Sequence, residues 1–243
     1  MNIYFNIVSA KNKGLKLLAV LIDPEKIDLK DLPSFLEKIH QSIATHIFIG
    51  GSTDQNNQIE LVVQAIKKNS QLPVVLFPGS EAQITLAADA LLFLSLVSGR
   101  NPEYLIGKQV KAAAKLKQTT LEIIPTGYVL VDGGTETAIQ RVSQTKPIEQ
   151  NQLNEVFHTA LASQYLGHKL VYLEAGSGAK TPVSFELIQA VKETLAIPLI
   201  VGGGIRNKKQ LQQAFEAGAD LVVIGTAFEK DVSFFYELKK EFF

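Results

Sequence analysis

LPVVLFPGSEAQITLAADALLFLS, residues 72–95, and IPLIVGGGIRNKKQLQQAFEAGADLVVIGT, residues 197–226, are one pattern written twice in this chain of 243 residues. Each opens on a Leu-Pro or Ile-Pro step and passes through a short apolar run and a glycine turn. Each then continues as an amphipathic helix and ends in an Ala-Asp step before a second apolar run. The copies begin about half a chain apart, which equates units three and four of an eight-unit array with units seven and eight. That offset suits the half-turn pseudo-symmetry of a closed barrel better than an open sheet.

The rest of the chain supplies the other units. Eight apolar runs recur with helix-length segments between them: LKLLAVLI, HIFIGG, PVVLFP, ALLFLSLV, TLEIIP, KLVYLEA, PLIVGG and DLVVIG. Their near-continuous hydrophobicity marks strands covered on both faces, as parallel strands are. A (β/α)8 TIM barrel of roughly 250 residues fits the length, so a single domain over residues 1–243 is expected. Between the fifth and sixth strands, residues 127–167 exceed what one helix needs. They predict an elaborated loop, of the kind that covers active sites, plus a helix near 150–165.

Asn101 reads as an N-cap with Pro102 at the first helical position, which places Lys108, Lys111 and Lys115 along one solvated side of the following helix. In the tail, Phe234, Phe235, Leu238 and Phe242 share a helical face, for which packing on the barrel is expected and membrane or subunit contact is the alternative.

Composition excludes several classes. Lys plus Arg and Asp plus Glu both number 24, giving zero formal charge and none of the basic footprint of a nucleic-acid binder. Cysteine is absent, which removes disulfides, thiolate metal sites and thiol nucleophiles and fits a reducing, cytoplasmic setting. The N-terminus is too polar for a signal peptide, and ALLFLSLV falls far short of the roughly 20 residues of a transmembrane helix.

In barrels of this kind the site lies at the C-terminal strand ends, with phosphate commonly held by the loops after strands seven and eight. Both places carry glycine here: Gly202, Gly203 and Gly204 after strand seven, and Gly225 with Thr226 after strand eight. Such backbone permits close approach and offers unpaired amides to an anion. Glu174 ends strand six and runs into Gly-Ser-Gly, so an anionic ligand with a hydroxyl explains both features, the carboxylate serving as general base. A glutamate that merely caps the loop amides is the alternative.

Asp23 ends strand one, and Ser52 and Thr53 follow strand two. A single carboxylate with a hydroxyl suits a weak Mg²⁺ site, although Asp-Pro turns and hydroxyl helix caps use the same residues. Arg206 either assists the phosphate or begins the next helix as a solvated residue. The four histidines lie away from the strand ends, and no lysine stands there for a Schiff base.

LIDPEK, IGGSTD, SGRNPEYLIGKQV, IIPTGYVLVDGG, VYLEAGSGA, VGGGIRN and VVIGTA occur in that order between residues 17 and 230. Together they resemble the geranylgeranylglyceryl phosphate synthase family, which includes bacterial heptaprenylglyceryl phosphate synthases. The resemblance implies a TIM barrel that transfers a prenyl group from a long-chain prenyl diphosphate to the 3-hydroxyl of sn-glycerol 1-phosphate with Mg²⁺, releasing diphosphate.

It assigns Asp23 and Ser52 to Mg²⁺. It assigns Tyr172, Leu173, Glu174, Ala175, Gly176, Ser177 and Gly178 to glycerol phosphate, joined by Gly203, Gly204, Gly225 and Thr226. It also implies a homo-oligomer and a prenyl groove, for which Phe77, Leu94 and Tyr104 are candidate lining; for Phe77 and Leu94 plain packing is the competing reading. Transient membrane contact for product release belongs to the same expectation. Leu21 stands where the heptaprenyl branch has lysine, placing the chain nearer the larger archaeal-type group, and Thr226 stands where many members have asparagine. A phosphosugar isomerase and a non-catalytic phosphate-ligand binder are the alternatives.

Overall fold

A computed structural model describes residues 2–51, 58–225 and 232–240. Eight strands, β1 (Leu17–Ile22), β2 (His46–Ile49), β3 (Val74–Leu76), β4 (Ala90–Leu96), β5 (Glu122–Leu130), β6 (Leu170–Glu174), β7 (Leu199–Gly202) and β8 (Leu221–Ile224), pair in parallel in chain order. β1 also pairs with β8, Ala19 opposite Val223, so the barrel is closed.

Helices α2 (Leu32–Gln41), α3 (Ile59–Asn69), α4 (Lys108–Leu116), α6 (Leu153–Tyr165), α7 (Phe185–Thr194) and α8 (Lys208–Glu216) follow six of the strands. Successive strand residues point to opposite faces. Along β6, Leu170 and Tyr172 enter the barrel core, Val171 and Leu173 pack outward among the helices, and Glu174 is in phase with the inward set.

The repeated Ala-Asp step has a physical cause. Asp89, just before β4, accepts the Val74 amide at 2.8 Å and pairs with Lys67 of α3 at 2.6 Å. Asp220, just before β8, accepts the Leu199 amide at 2.8 Å and pairs with Lys192 of α7 at 2.5 Å. Each carboxylate ties the start of one strand to the preceding strand and to the helix that leads into that preceding strand, once in each half of the barrel.

Two sequence expectations need correction, the end of the fifth strand and the solvated lysine face. GYVL, read as loop, belongs to β5, which runs through Pro125 to Leu130. The proline is tolerated because its carbonyl bonds the Lys169 amide, so its missing N–H faces the side where β6 has not yet begun.

The segment after β5 contains a short helix, α5 (Ala138–Ser143), as well as α6; a capping box of Thr137 and Gln140 starts it. The polar N-terminus forms α1 (Ile3–Asn12), whose buried Ile3 and Ile7 plug the N-terminal end of the barrel while the Ile3 and Tyr4 amides bond Glu122.

The lysine face is not simply solvated. Asn101 caps as expected, accepting the Glu103 amide at 3.0 Å, but a π turn over Glu103–Gly107 precedes α4 and shifts the helical phase. Lys108 and Lys115 consequently reach the carbonyls of Gly79 and Ile84, and only Lys111 pairs at the surface, with Glu103.

The tail forms α9 (Val232–Glu237) in the structure, with Phe234, Phe235 and Leu238 buried against the barrel. Phe242 lies outside the described residues.

Candidate active site

At the C-terminal rim the strands enclose a cavity of about 760 Å³. Its floor is aromatic: Phe77 stacks on Tyr172 with centroids 5.2 Å apart, and Tyr128 meets the two rings steeply at 5.8 and 5.4 Å. Gly202 makes room for this floor, since a Cβ there would lie 2.3 Å from the Tyr172 hydroxyl. That hydroxyl is buried and, among the described residues, has no hydrogen-bond partner, a rare state for a donor inside a protein.

Glu174 stands directly beyond it, 6% exposed, at the inward-pointing end of β6. Burial pushes its carboxyl up to about 7, opposed by the Gly176 amide, which donates to Oε1 at 2.6 Å, and by the Tyr172 hydroxyl. The hydroxyl is near enough to bear on the titration yet falls short of hydrogen-bond geometry. Burial and the Glu174 charge in turn raise Tyr172 and Tyr128, which keeps both phenols neutral. Glu174 therefore caps its loop with one oxygen, the alternative weighed from sequence, and also lines the cavity.

The loops after β6 and β7 lie against each other. Gly176, Gly178, Gly203 and Gly204 adopt φ of +101°, +78°, +85° and +74°. A Cβ on Gly203 would sit 2.6 Å from both Glu174 Oε1 and the Gly176 nitrogen. Only glycine satisfies that contact. Among the described residues, the amides of Ser177, Gly178, Gly203 and Gly204 make no hydrogen bond within the chain. Free amides in such consecutive left-handed turns form a concavity suited to an anion. Arg206 clamps the pair of loops, its Nη2 donating to the Ala179 carbonyl at 2.6 Å.

Gly225 and Leu21 line the same cavity. Leu173 and Ala175 do not, because their side chains face the outer layer, leaving only backbone for a ligand. Ser52, Thr53 and Thr226 lie outside the described residues.

Across the mouth, Asp23 follows β1. Its Oδ1 accepts the Glu25 amide at 3.1 Å, and its Oδ2 pairs with Lys26 at 2.6 Å. Gly51 passes so close that a Cβ would lie 2.9 Å from Oδ1. Among the described residues no cluster of three or more His, Asp or Glu side chains is placed for a metal. One hard carboxylate in an open cavity fits a divalent cation held mainly by water and ligand oxygens, with Lys26 displaced or shared.

Towards β3 and β4 the cavity becomes apolar. Phe77, Leu94 and Tyr104 bound it, and it continues past Leu91 and Leu116 between β4 and α4. Sequence reading missed Lys108 and Thr137, which also line it. The Thr-x-x-Gln capping pattern was a usable signal for Thr137; for Lys108 there was none, since the π turn sets its direction. None of the four histidines lines the cavity, and burial pushes His46, at the start of β2, down to about 4.

The PcrB family model matches residues 11–241. A geranylgeranylglyceryl phosphate synthase of Zunongwangia profunda is 58% identical over 92% of this chain and 95% of that protein. One of Thermococcus gammatolerans is 44% identical over 92% of this chain and 88% of that protein. Among solved structures, (S)-3-O-geranylgeranylglyceryl phosphate synthase from Thermoplasma acidophilum, in complex with substrate sn-glycerol-1-phosphate, superposes with a TM-score of 0.92 at 36% identity. It covers 98% of this chain and 96% of that one.

Proposed function

The chain belongs to the PcrB family, and from that premise we propose that it moves a geranylgeranyl group from its diphosphate to the 3-hydroxyl of sn-glycerol 1-phosphate. An ether forms between that oxygen and C1 of the prenyl chain, and diphosphate leaves. The observation that carries this reading is a single cavity joining a cradle of unpaired amides to an apolar arm, with a buried carboxylate at the junction. A small anionic alcohol and a long hydrocarbon fit its two ends, and the carboxylate stands where they meet.

The amides of Ser177, Gly178, Gly203 and Gly204, with that of Gly225, receive the glycerol phosphate, a role the resemblance extends to Thr226. Tyr172 offers its unpaired hydroxyl to the glycerol. Glu174 in its ionised form accepts the proton of the 3-hydroxyl as that oxygen attacks C1. The aromatic floor of Phe77, Tyr128 and Tyr172 flanks the allylic carbon, where ring faces favour developing positive charge. Phe77, Leu94 and Tyr104 shelter the tail from water.

Asp23, together with Ser52, would hold Mg²⁺. When bound there, the ion supplies neutralisation of the charge that develops on the departing diphosphate. No described helix is long and apolar enough to cross a membrane.

The test is an assay of radiolabelled glycerol 1-phosphate with C15 to C35 prenyl diphosphates, products being identified by mass spectrometry. A C20 ether phosphate is expected. Label that never enters the organic phase with any donor would refute prenyl transfer.

A further inference from the structure

Gln83 is a fully buried carboxamide that none of the steps above uses. It ends the 3-10 turn Glu81–Gln83 that follows β3. Its Nε2 donates to the Gly51 carbonyl at 3.1 Å, and its Oε1 accepts the Gly79 amide at 2.7 Å. Gly51 is the residue whose backbone runs against the Asp23 carboxylate. The Gly79 carbonyl accepts from Lys108 Nζ at 2.7 Å, and that ammonium stands 4.3 Å from the centre of the Tyr104 ring. One side chain thus links the rim that carries Asp23 to the wall of the apolar arm.

We propose that Gln83 is a positioning residue for the prenyl donor, fixing the separation between the diphosphate site at Asp23 and the tail site at Phe77 and Tyr104. The inference rests on the reaction proposed above. An amphiphile held at a charged end and a greasy end presents its reactive carbon correctly only if the two sites keep their spacing. Displacement of reacting atoms by about 1 Å costs on the order of 100-fold in rate. A carboxamide suits the task because it donates on one side and accepts on the other; an ionised carboxylate only accepts.

Gln83→Met keeps the volume and removes the bonds to Gly51 and Gly79. Gln83→Glu keeps the acceptor for Gly79 and removes the donor to Gly51. Lys108→Met removes the far link and serves if either Gln83 variant fails to fold by circular dichroism. For each, kcat and both KM values are measured, with calorimetric binding of a non-hydrolysable geranylgeranyl diphosphate analogue in Mg²⁺.

The expected result is a loss of about 100-fold in kcat/KM for the donor, weaker analogue binding, and a glycerol 1-phosphate KM within about twofold of wild type. Equal losses for both substrates, unchanged analogue affinity, or lowered thermal stability with normal donor kinetics would each overturn the proposal. Wild-type protein that binds both ligands yet makes no ether would instead refute the reaction, while the comparison of analogue affinities would still decide the role of Gln83.

Discussion

Glu174 is buried at a site that penalises its charge, and the proposed chemistry needs that charge. Two consequences follow with opposite signs. As a general base it works ionised, so kcat/KM rises with pH through about 7, and Glu174→Gln removes that limb and lowers kcat by about 10²–10⁴-fold. For stability, the folded carboxyl holds its proton to a higher pH than the unfolded one. Stability is therefore full below about 4.5, declines as pH rises to about 7, and stays reduced above it, by on the order of 3 kcal/mol. Glutamine keeps the acceptor for the Gly176 amide, so Glu174→Gln is expected to melt higher than wild type at pH 8 and no higher at pH 4 in a thermal scan. Asp23→Asn removes the carboxylate proposed to hold Mg²⁺, and a Mg²⁺ titration of turnover should show weaker dependence; an unchanged curve rules out that role. That Glu174 and Asp23 line the cavity was legible because each stands at the C-terminal end of a strand, where barrels of this kind bind their ligands. The orphaned Tyr172 hydroxyl was not, since it depends on the space that Gly202 leaves across the barrel.

The rim loops translate glycine spacing into geometry. Gly203→Ala places a methyl against Glu174 and Gly176 in a left-handed conformation, which alone costs roughly 1–2 kcal/mol. It should raise the KM for glycerol 1-phosphate while leaving the donor KM near wild type, measured by varying each substrate in turn. Gly203, Gly204 and Gly225 were readable as rim backbone around the cavity because their positions at the ends of strands seven and eight follow from counting apolar runs. α4 was misread at the same scale: helical periodicity assumes a constant rise, and the π turn breaks that constancy, sending Lys108 inward. β5 was cut short because proline reads as a terminator when the position of the neighbouring strand is unknown.

Across the whole barrel the repeat gives two carboxylate ties of the same design. Asp220→Ala is expected to lower stability by on the order of 3 kcal/mol, because it strands Lys192 and a buried amide. Asp89→Ala is expected to cost less, since water reaches that pair more freely. The two losses should add in urea denaturation, the sites sharing no partner. The same alignment pairs Phe77 and Leu94 of one half with Gly202 and Gly225 of the other, so equivalent positions carry large apolar side chains on one side and bare backbone on the other. Sequence revealed the duplication but not this division of labour, which needs the inward phase of each strand. Each substrate of the proposed reaction grips one pole, whereas the joined ether phosphate grips both at once and gains an avidity neither precursor has. Departure of the finished lipid should then limit steady-state turnover: rapid quench would show a burst of about one equivalent per site, and detergent micelles would quicken the later phase alone.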